Sequence, residues 1–384
     1  MDFELPEELR LLKETVRQFV DRELIPVEMT SMDGPKMRPE VRAPLEEKAR
    51  KLGLWHLDVP AEYGGAGLDL LGLCVVWEEI ARTIAMPPRG PSVFGPDLRP
   101  VLFTLNDKQK EKYLHPVLRG EKVTAFAQSE PDAGSDPGAM RTIAVRDGDH
   151  YVINGYKRWI TGAADADFFQ LVAATDRSKG SRGGLSMFLV DADTPGFKVI
   201  RPVPTMMGDE PYELALDDVK VPAENMIGAE GEGMKAAQKW ITSGRLYQAC
   251  RGLGVAKRCL DLMVSYAKQR VTFGAPLADR QAVQFMIADS YTEHHMVQLM
   301  VYNLAARTDA GVAARHESYM VKIAGTELGF RVADRCMQIH GAMGLATEMP
   351  ISKMWRDARS FIITEGPVEV MRMVLARDIM RERK

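Results

Sequence analysis

Apolar side chains in the first part of the chain recur with the spacing of an α-helix. Leu9, Leu12, Val16 and Phe19 are three or four residues apart, which places them on one helix face. Similar helical segments follow before residue 121. We therefore predict an N-terminal helical domain with a first helix between Pro6 and Pro26, helices at 45–52 and 70–81, and a helix capped by Asn106 or Asp107 that runs through Leu114 and ends near Gly120.

The pattern changes near residue 122, where short β-branched or aromatic runs separated by turn residues begin. Asp147-Gly148 and Asn154-Gly155 each stand between two such runs, which predicts two consecutive β-hairpins. The second hairpin is expected to carry Trp159 and Thr161 back past the segment after Phe126. Further strands are predicted at 168–174, 185–190, 199–202 and 213–216, which completes a small β domain.

Helical spacing returns after about residue 230 and continues to the end of the sequence. The segments 234–270, 281–308, 318–337 and 367–383 are long enough to form a helix bundle. The predicted fold class is therefore α+β. Its domains are an N-terminal helical domain at 1–121, a central β domain at 122–229 and a C-terminal helical bundle at 230–384.

Composition and charge narrow the classes of function. The 384 residues are 46% hydrophobic, and the net charge of −3 is spread along the chain without a basic stripe, which disfavours nucleic acid as a partner. No apolar run reaches the roughly 20 residues that span a bilayer, and the first residues are acidic, so we expect a cytoplasmic protein. Cys74, Cys250, Cys259 and Cys336 are far apart in apolar helical contexts, which favours reduced core thiols over disulfides or a metal site.

Two segments of the β domain have the chemistry of a ligand site. FAQSEPDAGSD, residues 126–136, ends in a turn whose backbone N–H groups and hydroxyls can face an anion. Trp159 and Thr161 in the following strand offer a planar ring and a hydroxyl, which suits a flavin. An ordinary hairpin with a core tryptophan explains the spacing equally well.

FAQSEPDAGSD and YVINGYKRWITG, residues 151–162, resemble the paired flavin-binding segments of the acyl-CoA dehydrogenase family. The likeness extends over essentially the whole chain. It implies FAD as the cofactor, bound between the β domain and the C-terminal helices. The residues that it implies for cofactor binding here are Phe126, Gln128, Ser129, Gly134, Ser135, Trp159 and Thr161.

Motifs in the C-terminal bundle extend this resemblance. RVTFGAPL matches the family's RxTFG signature, in which the arginine reaches the cofactor's pyrophosphate, a task that suits a guanidinium fork. By itself the segment could equally be a helix end with a basic cap. A Rossmann glycine fingerprint and a P-loop are both absent from the sequence, which disfavours NAD. The resemblance implies further cofactor contacts from Arg270, Thr272, Phe273, Gln281, Gln338, Gly341 and Gly344, often across a subunit interface.

Glu365 is the candidate catalytic base. A glutamate just before a helix is usually a first-turn carboxylate that the helix dipole favours. The resemblance indicates otherwise, because the family's EG(T/S)xxIQ motif has its catalytic glutamate at this position. Some family members carry the base at the position of Gly244, which has no side chain. The residues that the resemblance implies for substrate binding are Ser135, Arg245, Thr364 and Gly366.

The sequence departs from the family pattern around the predicted base. Thr364 stands where short- and medium-chain relatives commonly carry tyrosine, and Pro367 replaces the usual threonine or serine. Thr242 replaces an aspartate that often precedes the family's CoA-contacting arginine, here Arg245. Prolines between 87 and 100 lie in the region that, by resemblance, lines the far end of the acyl cavity. We predict a wider pocket that accepts branched, cyclic or otherwise bulky acyl groups.

The function that the resemblance implies is the α,β-dehydrogenation of an acyl-CoA thioester. Glu365 removes the α proton as a desolvated carboxylate of raised pKa, and the flavin takes the β hydride. An electron-transfer flavoprotein is the expected electron acceptor, and the expected assembly is a homo-oligomer, a tetramer or a dimer. Three alternatives remain at this point: an acyl-CoA oxidase that uses oxygen, a nitroalkane-type oxidase, and a non-catalytic partner subunit without flavin.

Overall fold

The computed structural model describes residues 4–87, 90–98, 100–238 and 241–382. The chain divides into two compact units, one formed by residues 1–88 with 242–384 and the other by residues 89–241. Within the described ranges, every helix is too short or too polar to cross a membrane.

Helices occur in both units, and α4 and α5 are joined by a π-helical turn at Lys110–Leu114. Each segment predicted to be helical contains helix among the described residues, and residues 239–240 and 383 of the predicted segments 234–270 and 367–383 lie outside them. Helix α11 has no counterpart among the predicted segments. The helices of the described residues are α1 Glu7–Phe19, α2 Pro39–Lys51, α3 Leu70–Ile80, α4 Asp107–Gln109, α5 His115–Leu118, α6 Gly233–Gln238, α7 Ile241–Gln269, α8 Gln281–Asp309, α9 Arg315–His340, α10 Ala342–Leu345, α11 Ile351–Phe361 and α12 Val368–Glu382.

One large sheet occupies the unit of residues 89–241. Its strand order is β10-β7-β6-β4-β5-β9-β8, and β3 pairs in parallel with β6. The four strands predicted between 168 and 216 are all present, in β6 to β9. The strands of the described residues are β1 Met32–Asp33, β2 Lys36–Met37, β3 Thr124–Ala127, β4 Ile143–Asp147, β5 His150–Ile160, β6 Phe168–Ala174, β7 Leu185–Asp191, β8 Phe197–Pro202, β9 Tyr212–Pro222, β10 Met226–Ile227, β11 Val271–Thr272 and β12 Ala275–Pro276.

The two predicted hairpins have different outcomes. The first is confirmed, since Asp147 pairs with His150 across a turn that contains Gly148. The second is wrong, because β5 continues through Asn154-Gly155 without a turn and only shifts its register against β9. Gly155 is required here by a close approach: a Cβ at this position would lie 2.4 Å from Oγ1 of Thr142. The glycine therefore permits a bulge in one long strand.

The core of the helical unit lies between α7, α8, α9 and α11. Helices α7 and α9 approach at their glycines, where a Cβ on Gly252 would lie 1.9 Å from the carbonyl oxygen of Gly325. Such an approach requires the absence of side chains at both positions. All four cysteines are buried free thiols, as predicted.

Candidate active site

Glu365 lies in the short turn between α11 and α12, with its side chain exposed. Its backbone φ is +55° and that of Gly366 is +92°, so two successive residues are left-handed. For a glutamate this conformation costs on the order of 1–3 kcal/mol and persists only where the surroundings impose it. The amide of Thr364 continues α11 by donating to the carbonyl of Ser360 at 3.0 Å. The turn thus presents the Glu365 side chain just after α11, whose last residue, Phe361, is buried.

A buried lysine holds this turn from the neighbouring helix. Nζ of Lys322, which is fully buried on α9, donates to the carbonyl oxygens of Ile362 at 3.2 Å and Gly366 at 2.8 Å. Burial lowers the pKa of Lys322 to about 8, while the Glu365 carboxylate opposes this effect and the Arg245 guanidinium adds to it. One cation therefore binds the backbone on both sides of the candidate base.

Arg245 on α7 also lies against α9. Its Nη1 donates to Oγ of Ser318 at 2.9 Å, and its guanidinium carbon lies 4.3 Å from the centre of the Tyr319 ring. Burial lowers the pKa of Arg245. Within the part of the chain that the structure describes, the buried Nε of Arg245 and the buried Oγ1 of Thr364 lack hydrogen-bond partners. Both atoms offer positions that a polar ligand can satisfy.

The RxTFG segment forms a small hairpin between α7 and α8. Arg270 follows the end of α7, and Gln281 begins α8. Phe273, at the tip, has a φ of +50° and is fully exposed. Nη2 of Arg280 donates to the carbonyl of Thr272 at 2.5 Å, which fixes the hairpin against the start of α8.

A second candidate segment lies at the same end of the bundle. The ring of Tyr266, one turn before Arg270, stacks on His340 with 4.2 Å between their centres. His340 ends α9 immediately before Gly341. The candidate cofactor residues at this end of the helical unit are therefore Arg270, Thr272, Phe273, Gln281, Gln338, Gly341 and Gly344.

The candidate residues of the sheet unit belong to adjoining segments. The carbonyl of Ser129 accepts from the amide of Arg158 at 2.9 Å, and that of Gln128 accepts from Nζ of Lys157 at 3.0 Å. Trp159 has a φ of +67° and its side chain is 49% exposed. The end of β3 therefore adjoins the end of β5, which brings together the segments that carry Phe126, Gln128, Ser129, Trp159 and Thr161.

Lys157 and Glu130 form a buried ion pair that was not predicted from the sequence. Nζ of Lys157 lies 2.9 Å from Oε1 of Glu130, and the Glu130 carboxylate also accepts from the amides of residues 141–142. Burial lowers the pKa of Lys157 to about 8, and Glu130 opposes the effect. Gly134 and Ser135 lie exposed in the loop that follows. The pair therefore closes the base of this loop.

These side chains fit the chemistry of FAD. A flavin or adenine ring needs an accessible planar partner, and Trp159 and Phe273 are exposed rings on left-handed backbone. A pyrophosphate needs fixed cationic donors, which the guanidinium of Arg270 can supply. The exposed loop with Gly134 and Ser135 adds amide and hydroxyl donors.

Three family models match the chain almost end to end. Acyl-CoA dehydrogenase, N-terminal domain, matches residues 6–121; the middle domain matches residues 125–219; and the C-terminal domain matches residues 231–380.

Relatives of known name match over nearly the whole chain. The 3-(aryl)acrylate reductase of Clostridium sporogenes is 36% identical over 98% of this chain and 99% of its own. The mitochondrial short-chain specific acyl-CoA dehydrogenase of Mus musculus is 36% identical over 98% of this chain and 91% of its own. The caffeyl-CoA reductase-Etf complex subunit CarC of Acetobacterium woodii is 35% identical over 98% of this chain and 99% of its own.

Solved structures share the fold. A glutaryl-coenzyme A dehydrogenase in complex with glutaryl-CoA is 34% identical, with a TM-score of 0.86, and the match covers 99% of this chain and 97% of that one. A glutaryl-CoA dehydrogenase from Mycobacterium smegmatis, in complex with FADH2, is 26% identical, with a TM-score of 0.84, over 98% and 95%. The chain therefore belongs to the acyl-CoA dehydrogenase family of FAD-dependent oxidoreductases.

Proposed function

We propose that the enzyme oxidises an acyl-CoA thioester to the 2-enoyl-CoA with Glu365 as the catalytic base. The observation that carries this proposal is the strained turn of Glu365, which Lys322 binds on both sides. Strain that neighbouring residues hold in place is typical of a positioned catalytic group. Thr364, in place of a larger aromatic residue, is proposed to widen the acyl pocket beside the base.

The reaction breaks one C–H bond at each of the α and β carbons and forms the double bond between them. The Glu365 carboxylate takes the α proton, and the backbone N–H of Glu365 donates to the thioester carbonyl as negative charge develops on it. FAD, when bound, supplies the acceptor for the β hydride. Arg245, Ser135 and Gly366 are proposed to orient the thioester and its CoA group.

The electron acceptor is proposed to be an electron-transfer flavoprotein. One relative in support is named as a subunit of a reductase-Etf complex. We also propose a homo-oligomer, a tetramer or a dimer. Its support is the set of exposed large apolar side chains on α8 and α12, which suit burial between subunits: Phe285, Tyr291, Met296, Met373 and Met380.

The reverse reaction, reduction of a 2-enoyl thioester, is the second candidate. It is favoured by two relatives whose names are reductases. The same carboxylate serves both directions, because the proton that Glu365 removes in oxidation is the proton that it returns in reduction. The residues proposed above therefore keep their roles in either direction.

An anaerobic panel of acyl-CoA and 2-enoyl-CoA thioesters tests the proposed function. With the purified flavoprotein, we expect saturated thioesters to bleach the flavin absorbance and to yield the 2-enoyl product. If no saturated thioester bleaches the flavin, and enoyl thioesters reoxidise the reduced enzyme, the result would favour the reductase. Peroxide formation equal to turnover in air would select an oxidase, and colourless protein would favour a non-catalytic subunit.

Replacing Arg270 with alanine is expected to weaken FAD binding by about 10- to 100-fold, because a charge-assisted hydrogen bond to the pyrophosphate contributes on the order of 1.5–3 kcal/mol. Flavin content per protein and FAD titration of the apoprotein are the measurements. Lysine at this position is expected to restore binding only in part, since it lacks the fork.

Arg307→Ala is the matched control for this change. Arg307 lies in the same unit and is paired with Glu317 at 2.8 Å. Its replacement is expected to leave the flavin content unchanged. Full flavin content in Arg270→Ala contradicts the assignment of Arg270 to the cofactor.

A further inference from the structure

A cavity of about 80 Å³ lies within the helical unit. One water needs only about 10–15 Å³, so there is room for a larger group. Its wall includes the aromatic rings of Trp77, Tyr247 and Phe361, together with Pro87 from the proline-containing segment. Trp77 and Tyr247 pack edge to face with 5.2 Å between their ring centres. The cavity wall is therefore largely apolar, with three aromatic rings among aliphatic side chains such as Ile80, Ile84 and Val255.

Arg251 places a guanidinium in this apolar wall. The residue is 7% exposed, and its guanidinium carbon lies 4.1 Å from the centre of the Phe361 ring and 5.6 Å from that of Tyr247. Its Nη1 has a long hydrogen bond of 3.4 Å to Oε1 of Gln248. Among the described residues, Arg251 forms no ion pair. A nearly buried cation thus lines the cavity without a bound carboxylate.

Asp357 is the carboxylate that lines the same cavity, and it already has a partner. Nζ of Lys353 lies 2.6 Å and 2.5 Å from its two oxygens. Lys353 is therefore the nearer cation to Asp357, Arg251 interacts with that carboxylate only at longer range, and the three groups together carry one net positive charge. Contacts with aromatic faces offset only part of the free energy that it costs to remove a cation from water. The cavity favours a ligand with one negative charge.

The cavity wall and the candidate base belong to the same short stretch of chain. Phe361 ends α11 and lines the cavity, and the turn with Glu365 follows directly. The four residues from Phe361 to Glu365 span at most about 14 Å even when fully extended. The Cα atoms of Phe361 in the cavity wall and of the candidate base are therefore no more than about 14 Å apart.

We infer that Arg251 binds the terminal carboxylate of an ω-carboxy-acyl thioester, with the aromatic side chains covering the methylene chain. This inference rests on the proposed function and adds the substrate class. Arginine suits the task because its planar fork can pair with both oxygens of a carboxylate. A methyl terminus would leave the guanidinium desolvated and unpaired.

The test compares ω-carboxy and methyl-terminated thioesters of equal carbon number in the flavin-loaded enzyme. The pairs are succinyl- with butyryl-CoA, glutaryl- with pentanoyl-CoA, adipyl- with hexanoyl-CoA and pimelyl- with heptanoyl-CoA. We expect kcat/KM for at least one ω-carboxy thioester to exceed that of its methyl-terminated partner by about 10- to 100-fold, the usual discrimination from a charge-assisted pair. Preference for the methyl-terminated partner at every length would overturn the inference without any variant.

Arg251→Met is expected to lose this preference. Its kcat/KM for the ω-carboxy thioester should fall by about 10- to 100-fold, with methyl-terminated substrates changed less than about threefold. Arg251→Lys should recover part of the loss. The control is Arg258→Met on the same helix, because Arg258 already pairs with Glu28 at 3.1 Å. That variant is expected to keep the preference.

Binding supplies a readout that does not depend on turnover. Calorimetry with Glu365→Gln should show weaker binding of the ω-carboxy thioester when Arg251→Met is added, and unchanged binding of the methyl-terminated one. An equal loss for both classes overturns the inference while leaving the proposed function intact. If wild-type enzyme converts no thioester of either class, the proposed function fails, and the inference fails with it.

Discussion

Replacing Glu365 with glutamine is expected to lower the rate of anaerobic flavin reduction by about 10²- to 10⁴-fold, because the amide cannot accept the α proton. Glutamine keeps the length of the side chain, and the backbone N–H proposed to face the thioester carbonyl is unchanged. FAD content and acyl-CoA binding should therefore stay close to wild type. Stopped-flow reduction, flavin content and calorimetric binding measure the three quantities.

Glu369→Gln is the matched control for this prediction. Glu369 is exposed in the first turn of α12, and, like Glu365, it contributes to the electrostatic environment of Lys322. Loss of its charge should leave reduction nearly unchanged. If both variants reduce the flavin at the wild-type rate, another group is the base. If both are slowed alike, the effect comes from the local charge and not from proton transfer.

Elements with strong periodicity were predictable from the sequence. The α9 pattern from Ser318 to Met337 lies within the observed helix Arg315–His340, and the run 168–174 is strand β6. In α9 the buried face recurs at the helical period, whereas β6 is a short apolar run, buried at every position and bounded by turn residues; in both cases local sequence is sufficient. At Asn154-Gly155 local sequence is not sufficient to predict the structure. The pair favours a turn locally, but pairing with β9 and the close approach to Thr142 keep β5 continuous.

The charged groups that organise the candidate site were not predictable. A lysine in a helix is usually exposed, and nothing near Lys322 in sequence indicates that it is buried. Its acceptors are carbonyls 40 and 44 residues further along the chain. Arg251 depends likewise on Phe361, which a different helix brings to its guanidinium. The groups that contact the buried cations of Lys322 and Arg251 come together only in the folded chain.

Replacing Lys322 with methionine is expected to slow flavin reduction by about 10²-fold while FAD content stays near wild type. The reason is that the variant removes the donor to Ile362 and Gly366 on both sides of Glu365, and a misplacement near 1 Å is enough for such a loss. In wild type, the hydrogen bonds from Lys322 weaken as it loses its proton near pH 8, because charge-assisted bonds are about twice as strong as neutral ones. The kcat/KM of wild type should therefore fall as the pH rises through about 8. The variant has no proton to lose at this position, so its kcat/KM should not show this fall.

Stability gives an independent test of the same residue. The pKa of Lys322 is about 8 in the folded protein and near 10.5 in the unfolded chain, so the unfolded chain binds more protons between these values. The free energy of unfolding of wild type should therefore rise with pH across that window, relative to Lys322→Met. Below pH 8 the buried charge of Lys322 lowers the free energy of unfolding by an amount on the order of 3 kcal/mol. Losing the two hydrogen bonds costs roughly 1–3 kcal/mol, so the variant should remain about as stable as wild type.

Lys257→Met separates positioning from the general effect of removing a buried cation. Burial also lowers the pKa of Lys257, which pairs with Glu79 of α3 at 2.5 Å. This control should change the free energy of unfolding and leave the reduction rate within about threefold of wild type, since Lys257 donates to neither Ile362 nor Gly366. A Lys322→Met enzyme with the wild-type rate and pH profile would show that α9 does not position the base. An equal loss of rate in both variants would assign Lys322 a structural role alone.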